Sequence, residues 1–372
     1  MQASIGHPKL AAAKLWQAAR ASGLGWATWR RPGESTVWFL IGQVQSARGP
    51  ISQGDAGYVI HPFDGDAAFR IQADGLFRSE DGGATFETVR AIDLPDGPEI
   101  TLAEIGGAYE RADDFTEAVQ HAQRWMAEGL LQKVVLSRRL VRPLPDVAPE
   151  TVWARLQNLY PHAFVSAAYL PDYGLWLGAT PELLGKWDGR HFSTMALAGT
   201  RPLPASGRAE DTAWSPKEIE EQAFVTRYII DQFKRIRLRE YHEDGPRAVA
   251  AGPVVHLRTD FVVDAMATDR PDLMETMVDL LHPTSAVCGA PLLTARDFIR
   301  QYEAHDRALY AGYWGPVGIE GVSDLYVNLR CMRWGPKTLD LFVGAGITSS
   351  SQADQEWQET ETKAQTLLRV LQ

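Results

Sequence analysis

Two Glu-x-x-Glu pairs lie far apart in this chain, Glu218 and Glu221 in SPKEIEEQ, and Glu356 and Glu359 in EWQETETK. A spacing of three residues puts both carboxylates of a pair on one side of a helix, where they repel unless a cation sits between them. Four carboxylates from two helices suit a hard, oxygen-seeking divalent ion such as Mg²⁺. Each pair taken alone has a plainer reading. Ser215 as N-cap, Pro216 at N1 and Glu218 at N3 make a capping box, which wants a glutamate there whatever else it does. Glu359 and Lys363 stand i, i+4 in the favourable order for an ion pair on a solvated helix. Glu221 is not explained by capping, and only the presence of two such pairs raises metal binding above coincidence.

Other residues offer acid–base or anion chemistry. Lys133 opens the apolar run KVVLSRRL. At a strand edge it snorkels to water; buried, its pKa falls and it can act as a general base. Glu182 follows a proline in GATPELLG. It is either part of a surface turn or, in apolar surroundings, a carboxyl with a raised pKa that can donate a proton. GAGIT, 344 to 348, is either a strand-end turn or a glycine-rich loop whose N–H groups approach an anion. His256, Tyr310 and Arg330 are polar groups within β-rich runs, either satisfied in a core or ringing an anionic ligand.

Many short strands and a few helices must position these groups. Residues 1 to about 105 read as strands and turns after one short helix, with TVWFLIGQ, AGYVIHPF and AAFRIQADGLFRS as β-rich runs and Trp16, Trp26, Trp29 and Trp38 as core. A helix is predicted over 113–128, capped by Asp113 or Asp114 and stopped by Gly129, then a strand over 133–140 and a helix over 149–159. AFVSAAYL and GLWLGATPELLGKW read as consecutive strands running on into FSTMALAGT, and 201–214 as a mobile loop. The capped helix runs from Ser215 to about Arg237. After it come the strand VVHLRTDFVV, helices in DLMETMVDLLHP and TARDFIRQYE, and strands in RALYAGYWGPVG, SDLYVNLRCMRW and LDLFVGAGIT. A helix from Asp354 to Leu371 closes the chain. Meanders with scattered helices favour α+β over a doubly wound sheet.

The composition, 372 residues with 45% hydrophobic and 23% charged, is that of an ordinary globular protein, long enough for one large two-lobed domain. A net charge of −10 and no basic stripe argue against a nucleic-acid partner. An anionic substrate would then need locally concentrated positive charge or a metal. Two cysteines, Cys288 and Cys331, argue against a disulfide scaffold or zinc site and fit a reducing compartment. No signal-peptide pattern and no long apolar window are present, so the expectation is a cytoplasmic protein without a membrane partner.

KVVLSR, GATPELL, ALAGTR, S-x-KE-x-x-E, VVHL, LHPTSAVCGAP, RALYAG, NLRC, GAGI and EWQET-x-x-K follow one another in that order. Together they resemble the chorismate-utilising enzymes, which include isochorismate synthase, salicylate synthase, anthranilate synthase component I and aminodeoxychorismate synthase component I. The resemblance covers roughly residues 105 to 372. It implies a catalytic domain over 106–372, preceded over 1–105 by a variable β-rich part of the same fold. The implied fold is α+β, two packed lobes with large, mainly antiparallel sheets flanked by helices and chorismate between them. By this likeness Glu218, Glu221, Glu356 and Glu359 surround Mg²⁺, which would hold the ring carboxylate. Tyr310, Arg330 and the backbone of Gly344, Ala345 and Gly346 would hold the enolpyruvyl carboxylate. Lys363 and His256 would lie near the substrate, and Gly199 and Thr200 would line its pocket.

Two positions choose within the family. Lys133 stands where ammonia-using members carry another residue, and a lysine can deprotonate water. Ala198 stands where aminodeoxychorismate synthases carry a nucleophilic lysine; its methyl leaves room for water and cannot attack. The resemblance therefore implies an isochorismate synthase. Lys133 activates water for attack at C2 of chorismate, Glu182 protonates the departing C4 hydroxyl from the opposite face, and Mg²⁺ serves as template. Menaquinone or catecholate siderophore biosynthesis would use the product. A monomer without a glutamine amidotransferase subunit is expected. The alternatives are a salicylate synthase, which also eliminates pyruvate, an anthranilate synthase component I, and an inactive homologue that only binds. One departure from the family pattern is Glu221-Gln222, where Glu-His is common; glutamine can hydrogen-bond but carries no charge.

Overall fold

Runs of β-branched and aromatic residues broken by Gly, Pro and Asp fold into antiparallel strands, in a computed structural model that describes residues 9–47, 56–65, 67–94, 102, 112–251 and 254–372. Among the described residues one sheet has eleven strands. Their spatial order is Leu10–Ala11, Thr85–Arg90, Gly75–Ser79, Val37–Gly42, Gly25–Arg30, Phe164–Leu170, Gly174–Thr180, Cys331–Trp334, Thr338–Ile347, Lys133–Pro143 and Gly289–Ala290. A second sheet has nine, ordered His242–Ala251, Val254–Asp264, His191–Pro202, Leu183–Trp187, Ser323–Val327, Tyr313–Val317, Gly57–His61, Ala68–Gln72 and Val44–Ala47. Neighbours pair antiparallel throughout. This is the α+β architecture of large antiparallel sheets with flanking helices that the sequence predicts.

The central strands of the eleven-stranded sheet are buried on both faces. Trp26 and Phe39 pack with Trp16 against the helices Ala12–Ser22 and Pro149–Leu159, while Trp29, Trp38 and Leu40 face the core shared with the nine-stranded sheet. A strand covered on both faces has no reason to alternate with polar residues, which is why VWFLIG reads as a continuous apolar run. All four tryptophans assigned to the core are buried. The helix Pro216–Arg235 packs on the strand His191–Pro202, and the helix Ala353–Leu371 on the strand Thr338–Ile347. These two helices carry the paired glutamates.

Several predicted elements differ in detail. Asp113 and Asp114 lie inside the first turn of the helix Ala112–Ala127, where the helix dipole favours them, and do not cap it. AAFRIQADGLFRS divides at Ala73–Asp74 into strands of different sheets, and SDLYVNLRCMRW divides likewise at residues 328–330. The edge strand His242–Ala251 was hidden by its polar, exposed composition and by Pro246. In the predicted loop, Arg201 and Pro202 continue a strand and Ala209–Asp211 form a turn of 3₁₀ helix. The expected boundary between residues 105 and 106 lies outside the described residues. Strands that precede it enter both sheets. Among the described residues no helix is long and apolar enough to cross a membrane.

Candidate active site

The chain steps directly between the two sheets at four places: Gln43, Ala73–Asp74, Pro181–Glu182 and the three residues 328–330. The last two crossings run side by side. Ala179 N donates to Arg330 O at 3.2 Å and Val327 N to Glu182 O at 3.0 Å, so the crossings stay hydrogen-bonded while turning Glu182 and Arg330 toward the space between the sheets. Arg330 takes a left-handed φ of 49° to do so. The predicted strand through NLRC therefore breaks at a residue whose side chain lines the cavity.

A cavity of about 140 Å³ lies there. Lys133, the first residue of its strand, lines it with Glu182; the two are 7% and 5% exposed. Burial lowers the Lys133 pKa, against the opposing pull of Glu221. Burial pushes Glu182 up to about 7, although Thr284 Oγ1, 3.5 Å away, and the Lys133 and Arg330 charges all oppose the shift. A buried lysine with a lowered pKa and a buried carboxyl with a raised one face a single space, an arrangement suited to dividing acid–base roles.

Arg330 Nη2 donates to His256 Nε2 at 2.6 Å, and His256 Nδ1 donates to Gly199 O at 2.8 Å. A guanidinium only donates and a carbonyl only accepts, which assigns the Nδ1–H tautomer. Burial and the neighbouring Arg330 hold the imidazole near a pKa of about 3, hence neutral. His256 thus spends both nitrogens aiming the guanidinium. Burial lowers Arg330 itself to about 10, leaving it charged at neutral pH. Gly199, at φ 67°, forms a bulge in the strand beside Ala198 and Thr200, and all three line the cavity.

Gly344, Ala345 and Gly346 lie within a strand, paired with residues 135–137, as the run LDLFVGAGIT predicts, and form neither a turn nor a loop. The glycines are needed for clearance. A Cβ at Gly344 would stand 2.7 Å from Tyr310 Oη, and one at Gly346 3.1 Å from Lys133 Cε. Gly344 and Gly346 line the cavity; Ala345 points the other way, into the core. Tyr310 is buried against Phe342, with ring centroids 5.6 Å apart. Lys363 Nζ donates to Gly344 O at 2.9 Å and meets Glu359 at 2.7 Å.

The four glutamates divide. Glu221 and Glu359 enter the cavity. Glu218 completes the capping box by accepting from Ser215 N at 2.8 Å and from Ser215 Oγ, and it pairs with Arg201 Nε at 2.7 Å. In this arrangement the cap and Arg201 take up the Glu218 carboxylate. Glu356, 2% exposed, accepts from Ser351 Oγ at 2.7 Å and Lys217 Nζ at 3.2 Å, yet its Oε2 is buried without a partner. Burial works against the Lys217 ammonium, but Glu356, Glu221 and Glu359 together raise its pKa. Among the described residues no three such side chains form a ready metal cluster. Even so, three carboxylates acting on one cation, with an orphaned buried oxygen, fit a hard divalent ion in chemistry and charge.

Gln222 is buried, its Nε2 donating to Ala196 O at 3.2 Å and Thr259 Oγ1 at 3.1 Å. Lys217 and Thr284 had no assigned role in the sequence, although both lie within the ordered motifs. A second cavity of about 510 Å³ shares Lys133 and Glu221 with the first and is otherwise lined by Lys217, Phe224 and residues 348–350 among others.

Residues 94–372 match the protein family described as chorismate binding enzyme. The isochorismate synthase EntC of Escherichia coli strain K12 is 33% identical over 264 residues, 69% of this chain and 66% of that enzyme. Anthranilate synthase component 1 of Streptomyces coelicolor is 30% identical over 262 residues, 69% of this chain and 51% of that enzyme. The match thus spans less than two thirds of either relative. The solved structure of MenF, the menaquinone-specific isochorismate synthase of Escherichia coli, superposes with a TM-score of 0.77 at 22% identity, covering 96% of this chain and 90% of that one.

Proposed function

The chain belongs to the chorismate-binding enzymes, and from that premise we propose that it is an isomerase converting chorismate to isochorismate. The observation that carries this reading is Lys133 and Glu182 facing one cavity with pKa values moved in opposite directions. In its neutral form, Lys133 Nζ takes a proton from water as the water attacks C2. Glu182, kept protonated by burial, delivers its proton to the C4 hydroxyl as that group leaves. Each transfer by a positioned group contributes about 10²–10⁴-fold. The two events balance, since one water enters and one leaves.

Arg330, held by His256, and Tyr310 bind the enolpyruvyl carboxylate in this reading, with Gly344 and Gly346 leaving the room. Lys363 adds positive charge from the helix side. A Mg²⁺ ion held by Glu221, Glu356 and Glu359 would supply the charge that neutralises the ring carboxylate. Ala198 leaves the floor of the cavity without a nucleophile, so water is the attacking species. Every side chain assigned here lies between residues 133 and 363, within the proposed catalytic part 106–372. The buried, unpaired Cys288 and Cys331 suit a reducing cytoplasm, and neither an amidotransferase subunit nor a second copy is required. Menaquinone or catecholate siderophore synthesis would consume the product.

Incubation with chorismate and Mg²⁺, followed by chromatography, tests the proposal. Isochorismate as the main product is expected. Salicylate with pyruvate would replace the reading by a salicylate synthase, anthranilate formed with ammonia by an anthranilate synthase, and no turnover by a binding homologue.

A further inference from the structure

Lys217 is the one member of the carboxylate cluster that the proposed reaction does not use. It sits in the first turn of the helix Pro216–Arg235, and its Nζ reaches across to Glu356 of the other helix at 3.2 Å while standing 4.0 Å from Glu221. Glu359 also acts on it. The Lys217 side chain is 45% exposed and the Glu356 side chain 2%. A buried carboxylate is costly without a countercharge, and Lys217 provides that charge from the solvent side.

We propose that Lys217 is a tethered counter-ion that holds the Glu221, Glu356 and Glu359 carboxylates together and must withdraw before a divalent cation can enter. The inference rests on reading those glutamates as the cation's ligands. An ammonium bridge between the two helices satisfies the same negative charge that the ion would. The apparent affinity for the ion is then its intrinsic affinity reduced by the fraction of molecules in which the ammonium has moved away. With about half its surface in water, the side chain can swing outward while its backbone keeps the helix start. The bridge would therefore tune cation affinity downward and keep the ligands gathered when no ion is bound.

The test is binding of Mg²⁺ to wild-type protein and to Lys217→Met and Lys217→Gln, by calorimetry without substrate, with Mn²⁺ electron paramagnetic resonance as a second probe. Both variants should bind the ion on the order of tenfold more tightly, about 1.4 kcal/mol, and Lys217→Arg should keep wild-type affinity. Metal-free Lys217→Met should melt below wild type and regain the difference on adding Mg²⁺. Equal or weaker binding in Met and Gln variants overturns the counter-ion role. Absence of binding in wild type and variants alike overturns the ligand reading beneath it.

Discussion

The four crossings between the sheets form two pairs, and only one of them lines the cavity proposed to carry chemistry. In the pair nearer the N-terminus the chain crosses through one residue, Gln43, and two, Ala73–Asp74; in the other it crosses through two, Pro181–Glu182, and three, 328–330. The short pair is closed tight. Gln72 N donates to Gln43 O at 2.9 Å, Asp74 Oδ2 accepts from Gln43 N at 2.8 Å, and a Cβ on Gly42 would stand 2.1 Å from Gln72 O. Each crossing of the second pair is one residue longer than its counterpart, and the slack turns Glu182 and Arg330 inward over a cavity. The same topological device serves as a fastening in one place and as a platform in the other. One added residue per crossing separates the two uses.

The comparison breaks most visibly through the proton-transfer pair. Lys133→Ala and Glu182→Gln should each lower kcat by about 10²–10⁴-fold while melting close to wild type; near-normal turnover in either would remove the assigned role. Next is pH. Glu182, with its pKa pushed up to about 7, loses its proton above that value. kcat/KM should fall about tenfold per unit on the alkaline side, and the fall should vanish in Glu182→Gln. The acid side should fall as Lys133 gains its proton. An alkaline limb that survives in Glu182→Gln would assign it to another group. Arg330→Met should cost about 10–10²-fold in kcat/KM, chiefly through KM, on the scale of a hydrogen bond to a charged group. The smallest effect belongs to the tight pair. Asp74→Ala should cost about 1 kcal/mol of stability by denaturant titration and leave kcat unchanged. A loss of activity there would show that both pairs shape the cavity.

Residue chemistry was more legible than chain path. The capping box at Ser215 and Glu218 reads directly from four residues because it is a local hydrogen-bond pattern, and the structure shows Ser215 donating to Glu218 Oε2 within it. The sheets' antiparallel class was legible from turns and short apolar runs. Crossing points were not, since a strand that leaves one sheet for another keeps its apolar composition, as NLRC and QADG do. The strand through LDLFVGAGIT was legible, but the reason for its glycines was not; the cause is clearance for Tyr310 and Lys133, a contact between residues far apart in sequence. Lys217 was hidden by its ordinariness as a lysine on a helix, and Thr284 by its distance from Glu182 along the chain.

The crossings also bear on where the two layers are tied together. Where the chain passes from sheet to sheet, covalent bonds prevent the two layers from parting, so the cavity cannot widen along that seam. What can yield is the flank where the helices Pro216–Arg235 and Ala353–Leu371 meet through side chains alone, beside the outer cavity that shares Lys133 and Glu221. Lys133 and Glu221 line both spaces, so the group proposed as the base stands between the inner cavity and the outer one.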